Sequence, residues 1–309
     1  MQTETLKLRA DDGVDVAVIR WLPDAATVRG IVQISHGMAE HAERYARLAE
    51  RLTEAGWAVY ASDHRGHGAT MRSDADRGHF CDEDGWNRVL ADLRMVAQHA
   101  RRAHPNLPYV LFGHSMGSFL AQTLVLRHPQ DVDALVLSGT NAGGGALVRA
   151  GKQVAKLERA RVGKRGTSAL LTQLSFGNYN RGFEGRTRYD WLSRDPIEVD
   201  LYVADPRCGF EVTTQTWIDL LGALEELGRA DWKRLPRELP VLVFAGERDP
   251  VGEHGKGVRR LVAALRRAGL TKVTDRLYPA GRHEMLNEIN RDEVMDTIVR
   301  WLDEHVARA

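Results

Sequence analysis

Ser115 stands in the pattern Gly113-His114-Ser115-Met116-Gly117, between an apolar segment at 109–112 and a segment with helical spacing. Gly-x-Ser-x-Gly in this context is typical of a sharp strand-to-helix turn that exposes the serine hydroxyl. Glycine is needed on both sides of the turn, because a Cβ there would collide with the neighbouring strand or helix. We therefore predict that Ser115 is a nucleophile. The alternative is a chance match, since short glycine and serine patterns recur in unrelated proteins.

A serine hydroxyl is a poor nucleophile at neutral pH and needs a histidine base that is oriented by a carboxylate. With this type of turn, the chain order is serine, then the acid, then the histidine. We favour His283 as the base, because it follows the last predicted strand and precedes the final helix. His254 is the nearest rival, but it lies too close to the predicted acid, and His114 should point away from Ser115. The alternative role for His283 is that of a capping or core histidine.

The acid that orients the histidine is expected directly after another strand of the sheet. Asp249 follows the buried strand pattern at 241–245, and active groups gather at the carboxyl ends of parallel strands. The preceding strand is followed by residues 138–141, which include no carboxylate. Glu247 is the alternative acid. Asp249 itself could instead pair with Arg248 or cap a helix.

An oxyanion hole needs two backbone amides, and loss of one such donor costs roughly a hundredfold to a thousandfold in rate. The amide of Met116, directly after the serine, is predicted to be one donor. The other is expected in the loop at 36–41, where the amide of Met38 is best placed. This loop also contains two histidines and a glutamate. Their spacing matches no zinc-protease motif and the loop follows a strand, so no metal is predicted.

Two further segments contain polar or glycine-rich patterns for which we predict no catalytic or cofactor-binding role. Residues 63–68, Asp-His-Arg-Gly-His-Gly, follow the next strand and should flank the same site. We predict that their polar groups are structural and bond to the loop at 36–41. Glycines at 143–145 and at 163 complete neither a Walker nor a dinucleotide-binding pattern, so no cofactor is predicted.

The elements that must position these residues alternate between strand and helix patterns, which predicts an α/β fold with a largely parallel sheet. Segments 3–9 and 15–22, joined by a turn at 10–13, predict an early hairpin. The alternation stops at Asn141 and resumes at 241. The first part of this irregular stretch, residues 141–212, is predicted to be an insertion. The whole chain, 1–309, is predicted to be a single domain that contains it. The other predicted strands are 30–35, 57–62, 109–112, 134–138, 241–245 and 273–278, and the predicted helices include 45–52, 84–103, 256–268 and 290–306.

The composition is that of an ordinary globular protein. The 309 residues are 43% hydrophobic and 28% charged, and the formal net charge of +1 predicts no general attraction to nucleic acid. Cys81 and Cys208 form neither a disulfide framework nor a metal-binding spacing. No apolar run approaches the roughly 20 residues of a membrane-spanning helix, and the first residues lack the pattern of a signal peptide. A cytoplasmic location is therefore predicted.

Taken together, these segments resemble the α/β-hydrolase fold, and within it the monoacylglycerol lipase and lysophospholipase group, which is also classed with serine aminopeptidase-like hydrolases. The resemblance is carried by 36–41 with Arg44-Tyr45, by 63–68, by 113–117, by Asp249-Pro250-Val251 and by Arg282-His283-Glu284. The chain departs from the commonest family form at Ala39 and Ser118, where glycine is frequent. Both departures concern the local shape of the acyl pocket and leave the catalytic side chains unchanged.

The resemblance implies a mostly parallel central sheet flanked by helices, with a helical lid at 141–212. It also implies a triad of Ser115, Asp249 and His283, and an oxyanion hole made by the amides of Met38 and Met116. The implied activity is cofactor-independent hydrolysis of carboxylic esters, with monoacylglycerols or lysophospholipids as substrates. A peptidase, a thioesterase, an acyltransferase and a ligand-binding protein without turnover are the alternatives.

The insertion itself carries apolar residues interleaved with lysines and arginines. A basic amphipathic segment beside an acyl pocket suits docking on anionic lipid, which would give peripheral membrane contact. The alternative, which we favour at this point, is a solvated lid helix whose apolar side packs on the core. The oligomeric state is not predicted.

Overall fold

The computed structural model describes residues 1–24 and 27–306. Its strands are β1 (Gln2–Arg9), β2 (Asp15–Leu22), β3 (Gly30–Ser35), β4 (Trp57–Ser62), β5 (Tyr109–His114), β6 (Ala134–Ser138), β7 (Val241–Gly246) and β8 (Val273–Tyr278). Its α-helices are α1 (Ala46–Glu54), α2 (Gly85–Ala103), α3 (Met116–Arg127), α4 (Ala146–Val162), α5 (Ala169–Phe176), α6 (Pro196–Ala204), α7 (Thr214–Leu227), α8 (Lys256–Arg267) and α9 (Arg291–His305).

The strands form one sheet of eight in the order β1-β2-β4-β3-β5-β6-β7-β8. β1 and β2 form the predicted antiparallel hairpin, β2 is antiparallel to β4, and the other neighbouring strands are parallel. The predicted α/β class with a mostly parallel sheet is confirmed. β5 continues to His114, two residues beyond its predicted end at 112.

Side chains of the central strands alternate between two apolar layers, because successive residues of a strand point to opposite faces. Ile31 of β3 packs in the layer that α2, α3, α7 and α8 cover. Val32 and Ile34 pack in the other layer, against α1 and α9. Burial on both faces explains the nearly continuous apolar runs of these strands.

The parallel register brings the ends of several strands to one edge of the sheet. Ser35 at the end of β3 pairs with Gly113, and His114 at the end of β5 pairs with Ser138. Ser138 in turn pairs with Phe244 of β7. The loops that follow these strands therefore meet at the same edge, where α/β sheets bind their ligands.

Three helices, α4, α5 and α6, lie between β6 and α7, within the segment that the sequence predicts as an insertion. α4 packs against α5 and α7, and α7 contacts α2 and α3. Trp191, Leu192 and Tyr202 form a small apolar cluster apart from the two layers of the sheet. No helix in the described ranges is both long and apolar enough to cross a membrane.

Candidate active site

Ser115 lies on the turn between β5 and α3 in a backbone conformation that few residues adopt, with φ +52° and ψ −122°. Its amide donates a hydrogen bond of 2.9 Å to the carbonyl oxygen of Ser138. A Cβ on Gly113 would lie 2.5 Å from the carbonyl oxygen of Gly117. A Cβ on Gly117 would lie 2.0 Å from the carbonyl oxygen of Ser35. Both glycines are therefore required by close packing, as the sequence predicts.

His283 and Asp249 form a buried hydrogen-bonded pair, with His283 Nδ1 at 2.9 Å from Asp249 Oδ1. Because a carboxylate accepts, Nδ1 carries the proton and Nε2 is left as the basic nitrogen. Burial lowers the pKa of His283, but the charge of Asp249 and its hydrogen bond outweigh burial, and the pKa is raised above the ordinary value. The same Asp249 oxygen accepts a hydrogen bond of 2.8 Å from the amide of Val251.

Ser115 and His283 line the same cavity. Within the described part of the chain, no hydrogen bond joins the Ser115 hydroxyl to the imidazole. Catalytic hydrogen bonds are often long without substrate and tighten when it binds. Ser115 and the His283–Asp249 pair, which the sequence analysis predicts to act together, therefore meet at one cavity.

Three residues that the sequence analysis left without a role surround the His283 ring. The rings of His114 and Trp191 lie 4.7 and 5.0 Å from it, centroid to centroid. A Cβ on Gly139 would lie 2.8 Å from His283 Cε1. Burial, with a contribution from His283, lowers the pKa of His114 to about 4, so His114 is neutral near pH 7. A glycine directly after β6 was a usable signal, whereas nothing in the sequence pointed to Trp191.

The loop after β3 reaches the serine turn, since a Cβ on Gly37 would lie 3.2 Å from Ser115 Cβ. Met38 lines the cavity together with Ser115. Among the described residues, the amides of Met38 and Met116 donate no hydrogen bond within the protein. Two amides that remain available beside a serine can bind a developing oxyanion.

A buried ion cluster joins this loop to the segment of His283. Glu40 accepts a hydrogen bond of 2.5 Å from the amide of Gly37 and one of 2.7 Å from Arg44. Arg44 also donates to both carboxylate oxygens of Glu284, at 2.7 and 2.6 Å. Burial raises the pKa of Glu284, but the charge and hydrogen bonds of Arg44 outweigh it, and the pKa is lowered to about 2. Glu284 therefore stays ionised directly beside His283.

The loop at 63–68 bonds to the loop at 36–41, as the sequence predicts. The amide of His64 donates to His36 Nε2 at 3.0 Å, and the amide of Ala39 donates to His67 Nε2 at 3.1 Å. Burial lowers the pKa of His64 to about 3 and that of His67 to about 4. These histidines are therefore neutral near pH 7, and a neutral ring nitrogen can accept a hydrogen bond.

A cavity of about 550 Å³ opens over the serine. Most of its lining comes from residues 169–217, and this part includes the aromatic side chains of Phe176, Trp191, Phe210 and Trp217. The ring of Phe176 lies 6.1 Å from that of Trp191 and 5.6 Å from that of Trp217. The cavity thus has an aromatic wall beside Ser115 and His283.

Glu247 and His254, the alternatives for the acid and the base, do not share the buried position of the His283–Asp249 pair. Glu247 and His254 are exposed, whereas Asp249 is completely buried. Arg248 donates a hydrogen bond of 2.6 Å to the carbonyl oxygen of Gly182. The side chain next to Asp249 is therefore engaged with the insertion.

Three possible metal ligands lie close together in the described part of the chain. One atom each of His41, Asp205 and Cys208 lie within 4.8 Å of one another. Arg207 donates to both oxygens of Asp205, at 3.2 and 3.0 Å. Burial raises the pKa of the Cys208 thiol to about 12. The Asp205 carboxylate is already paired with Arg207, and His41 Nε2 lies 2.9 Å from one of its oxygens, so the donor set does not favour a metal.

The sheet, the serine turn and the buried histidine–aspartate pair define an α/β-hydrolase. A sequence model of the family described as "Serine aminopeptidase, S33" matches residues 26–290. The chain belongs to this family.

Named relatives are similar over almost the whole chain. The chain is 33% identical over 298 residues to a monoacylglycerol lipase of Mycolicibacterium smegmatis, covering 95% of each protein. It is 29% identical over 301 residues to the monoglyceride lipase of Homo sapiens, covering 94% of this chain and 87% of the relative. A solved structure of a thermostable carboxyl esterase from Bacillus coagulans, in complex with glycerol, has a TM-score of 0.89 at 29% identity, covering 99% of this chain and 100% of that one.

Proposed function

We propose that this chain hydrolyses carboxylic esters with Ser115, His283 and Asp249 as its catalytic triad. Ester hydrolysis is supported by the family and by the relatives. The observation that carries the assignment of residues is the buried His283–Asp249 hydrogen bond beside a serine held on a strained turn. This constellation activates a hydroxyl that would otherwise be a poor nucleophile.

In the proposed reaction, Ser115 Oγ attacks the ester carbonyl while His283 Nε2 takes the hydroxyl proton. His283 then gives this proton to the leaving alcohol, and an acyl-enzyme remains on Ser115. A water molecule, deprotonated by His283, attacks the acyl group, and the acid leaves as the Ser115 hydroxyl is restored. Asp249 holds the imidazole in the tautomer that keeps Nε2 basic and stabilises the imidazolium.

The amides of Met38 and Met116 are proposed to bind the negative oxygen of the tetrahedral intermediates. This proposal is supported by their lack of hydrogen-bond partners within the described residues. Preorganised donors of this kind stabilise the charge without reorganisation during the reaction. No cofactor enters the proposed reaction.

We propose monoacylglycerols as the substrates, since the names of two relatives, a monoacylglycerol lipase and a monoglyceride lipase, describe enzymes that act on them. The cavity volume of about 550 Å³ lies in the range of small-molecule sites. Its aromatic wall suits an acyl chain, because each buried CH₂ group contributes roughly 0.8 kcal/mol.

We further propose that residues 141–212 form a lid within a single domain, because residues from this segment line much of the cavity. The outer surface of the segment supports peripheral contact with a lipid surface. Leu147 and Leu157 of α4 are 88% and 71% exposed, and Leu174 of α5 is 61% exposed. Arg149 and Lys156 are exposed on α4 as well, where they would favour anionic lipid.

An aminopeptidase is the second candidate, because the family carries that description. Glu211 is one of the residues that line the cavity, and its carboxylate could pair with the ammonium group of such a substrate. An ester panel of increasing acyl length, assayed together with aminoacyl amides, separates the two candidates. We expect kcat/KM to rise from acetate to medium-chain esters, whereas a maximum at acetate with cleavage of amides would favour the peptidase.

Labelling with an organophosphonate tests the nucleophile. Ser115→Ala should abolish both labelling and ester turnover and keep the melting temperature close to that of the parent. Substantial turnover in this variant would rule out the proposed mechanism.

A further inference from the structure

Ala39 has a backbone conformation that disfavours alanine. Its φ is +53° and it is buried. Left-handed backbone conformations bring Cβ close to the carbonyl oxygen, so residues other than glycine adopt them at a cost. Such a conformation persists only where the surroundings impose it. Contacts with the Ala39 amide and with its carbonyl oxygen therefore hold this conformation.

The amide side of Ala39 is held by His67. The Ala39 amide donates to His67 Nε2 at 3.1 Å, and His67 Nδ1 lies 2.9 Å from the carbonyl oxygen of Arg65. A carbonyl only accepts and an amide only donates, so His67 is the neutral tautomer with its proton on Nδ1. Both ring nitrogens are thereby satisfied, and the ring is fixed between two backbone groups.

The carbonyl side of Ala39 is held by the insertion. Its oxygen accepts a hydrogen bond of 3.0 Å from the Tyr202 hydroxyl and one of 2.9 Å from the Gly209 amide. The Tyr202 ring is buried, with the guanidinium carbon of Arg44 at 4.9 Å from its centroid. Two groups of the insertion thus fix the same oxygen atom.

The Met38 amide lies between two fixed peptide groups. On one side, the Gly37 amide donates to Glu40 Oε1 at 2.5 Å. On the other side, the Ala39 amide is held by His67. The peptide group of the Met38 amide is itself held through the Gly37 carbonyl oxygen, which lies 2.7 Å from His36 Nδ1. A change of the Ala39 backbone to a relaxed φ would shift the peptide group that follows Met38 and break its contact with His67, so the Met38 amide would lose its support on that side.

We propose that His67 and Tyr202 are positioning residues, which hold Ala39 in its strained conformation and thereby aim the Met38 amide at the oxyanion. This inference rests on the proposed function of the Met38 amide. It assigns to the insertion a role in the chemical step in addition to covering the cavity. Neither residue touches the reacting atoms in this role.

A double-mutant cycle between Tyr202 and Ala39 tests the inference. Tyr202→Phe keeps the ring and removes the hydroxyl, which donates to the Ala39 carbonyl oxygen and accepts a hydrogen bond of 3.2 Å from the Gly209 amide. It should lower kcat for a short p-nitrophenyl ester about tenfold with little change in KM. Glycine adopts positive φ without the Cβ penalty. In the Ala39→Gly background, the same Tyr202 change should therefore lower kcat less than about threefold.

Tyr189→Phe is the matched control, because the Tyr189 hydroxyl donates to the carbonyl oxygen of Gly209 at 2.8 Å and not to Ala39. Its effect on kcat should be the same in both backgrounds. A second cycle with His67→Leu, which removes the acceptor of the Ala39 amide, should also show rescue by Ala39→Gly. Melting temperatures of all variants identify any that fail to fold.

Equal losses of kcat for Tyr202→Phe in both backgrounds, together with equal losses for His67→Leu, would overturn the inference. This failure is distinct from failure of the proposed function. If Ser115→Ala retains turnover, the proposed function is wrong whatever the cycles give. If Ser115→Ala is inactive and both cycles are additive, only the positioning role is wrong.

Discussion

Gly139 lies against the imidazole of His283, so that a Cβ at position 139 would stand 2.8 Å from Cε1 and 3.0 Å from Nδ1. The glycine follows β6 with a φ of +56°. His283 is thus located by a backbone contact against Cε1 and Nδ1 and by the hydrogen bond of Nδ1 to Asp249. The position of the ring depends on the absence of a side chain at 139.

Gly139→Ala should displace the His283 ring and lower kcat at least tenfold, because a small misplacement of a catalytic group is costly. Gly163→Ala is the control. Gly163 has a φ of +82° and nothing within 4 Å of the added Cβ, so it carries the backbone strain without the contact. Steady-state kinetics and melting temperatures separate the two effects. Similar kcat losses in both variants would refute the role of the contact.

Asp249→Asn should leave KM nearly unchanged and lower kcat roughly ten-thousandfold, as the corresponding change does in the serine–histidine–aspartate triad of serine proteases. The cause is loss of the acceptor that fixes the tautomer of His283. Glu247→Gln, two residues away and exposed, should change kcat little. The reverse order of effects would identify Glu247 as the acid.

The pH dependence of kcat/KM should follow His283. The imidazole must be neutral to take a proton, and its pKa is raised above the ordinary value of 6.5. Activity should therefore fall as the pH decreases through a midpoint above 6.5. Asp249→Asn removes the charge that raises this pKa, so the residual activity should have its midpoint at lower pH. Profiles of kcat/KM from about pH 5 to pH 9 give the midpoint for the parent protein and for Asp249→Asn. An unchanged midpoint in the variant would mean that the loss of activity at low pH does not report protonation of His283.

Arg44→Met should destabilise the fold by about 3–5 kcal/mol, because Glu40 and Glu284 would remain buried without their partner. Arg51→Met removes the ion pair of Arg51 with Asp296, which is largely exposed, and should cost less than about 1 kcal/mol. Urea unfolding of the two variants gives the comparison. Equal costs would mean that the cluster does not stabilise the fold as a buried unit.

The double variant Leu147→Asp/Leu157→Asp should lose binding to vesicles that contain phosphatidylglycerol. Charge on the exposed side of α4 opposes both the apolar contact and the attraction to anionic lipid. Hydrolysis of a water-soluble ester should persist, which separates docking from chemistry. Ile197→Asp/Leu201→Asp on α6 alters residues that are 66% and 58% exposed and should retain binding. Equal loss in the two double variants would argue against a docking role specific to α4.

The sequence by itself determined the class of fold and the order of the strands and helices outside residues 141–240. Apolar periodicity is local, so it fixes elements such as β7 and α2 to within a few residues. The pattern around Ser115 predicts a strained turn because this type of turn needs glycine at 113 and 117, where a Cβ would collide with the neighbouring strand or helix. Asp249 and His283 could be predicted because the carboxyl ends of parallel strands meet at one edge.

The tertiary structure alone decided what supports these groups. Three contacts join segments that lie far apart in the chain: Trp191 against His283, Tyr202 on the carbonyl oxygen of Ala39, and Arg44 with Glu284. No local periodicity encodes them, because they depend on how the insertion and the strand-end loops pack on one another. Gly139 is an intermediate case, because a glycine directly after β6 is visible in the sequence, but its contact with the His283 ring is evident only from the packing of the loops after β6 and β8.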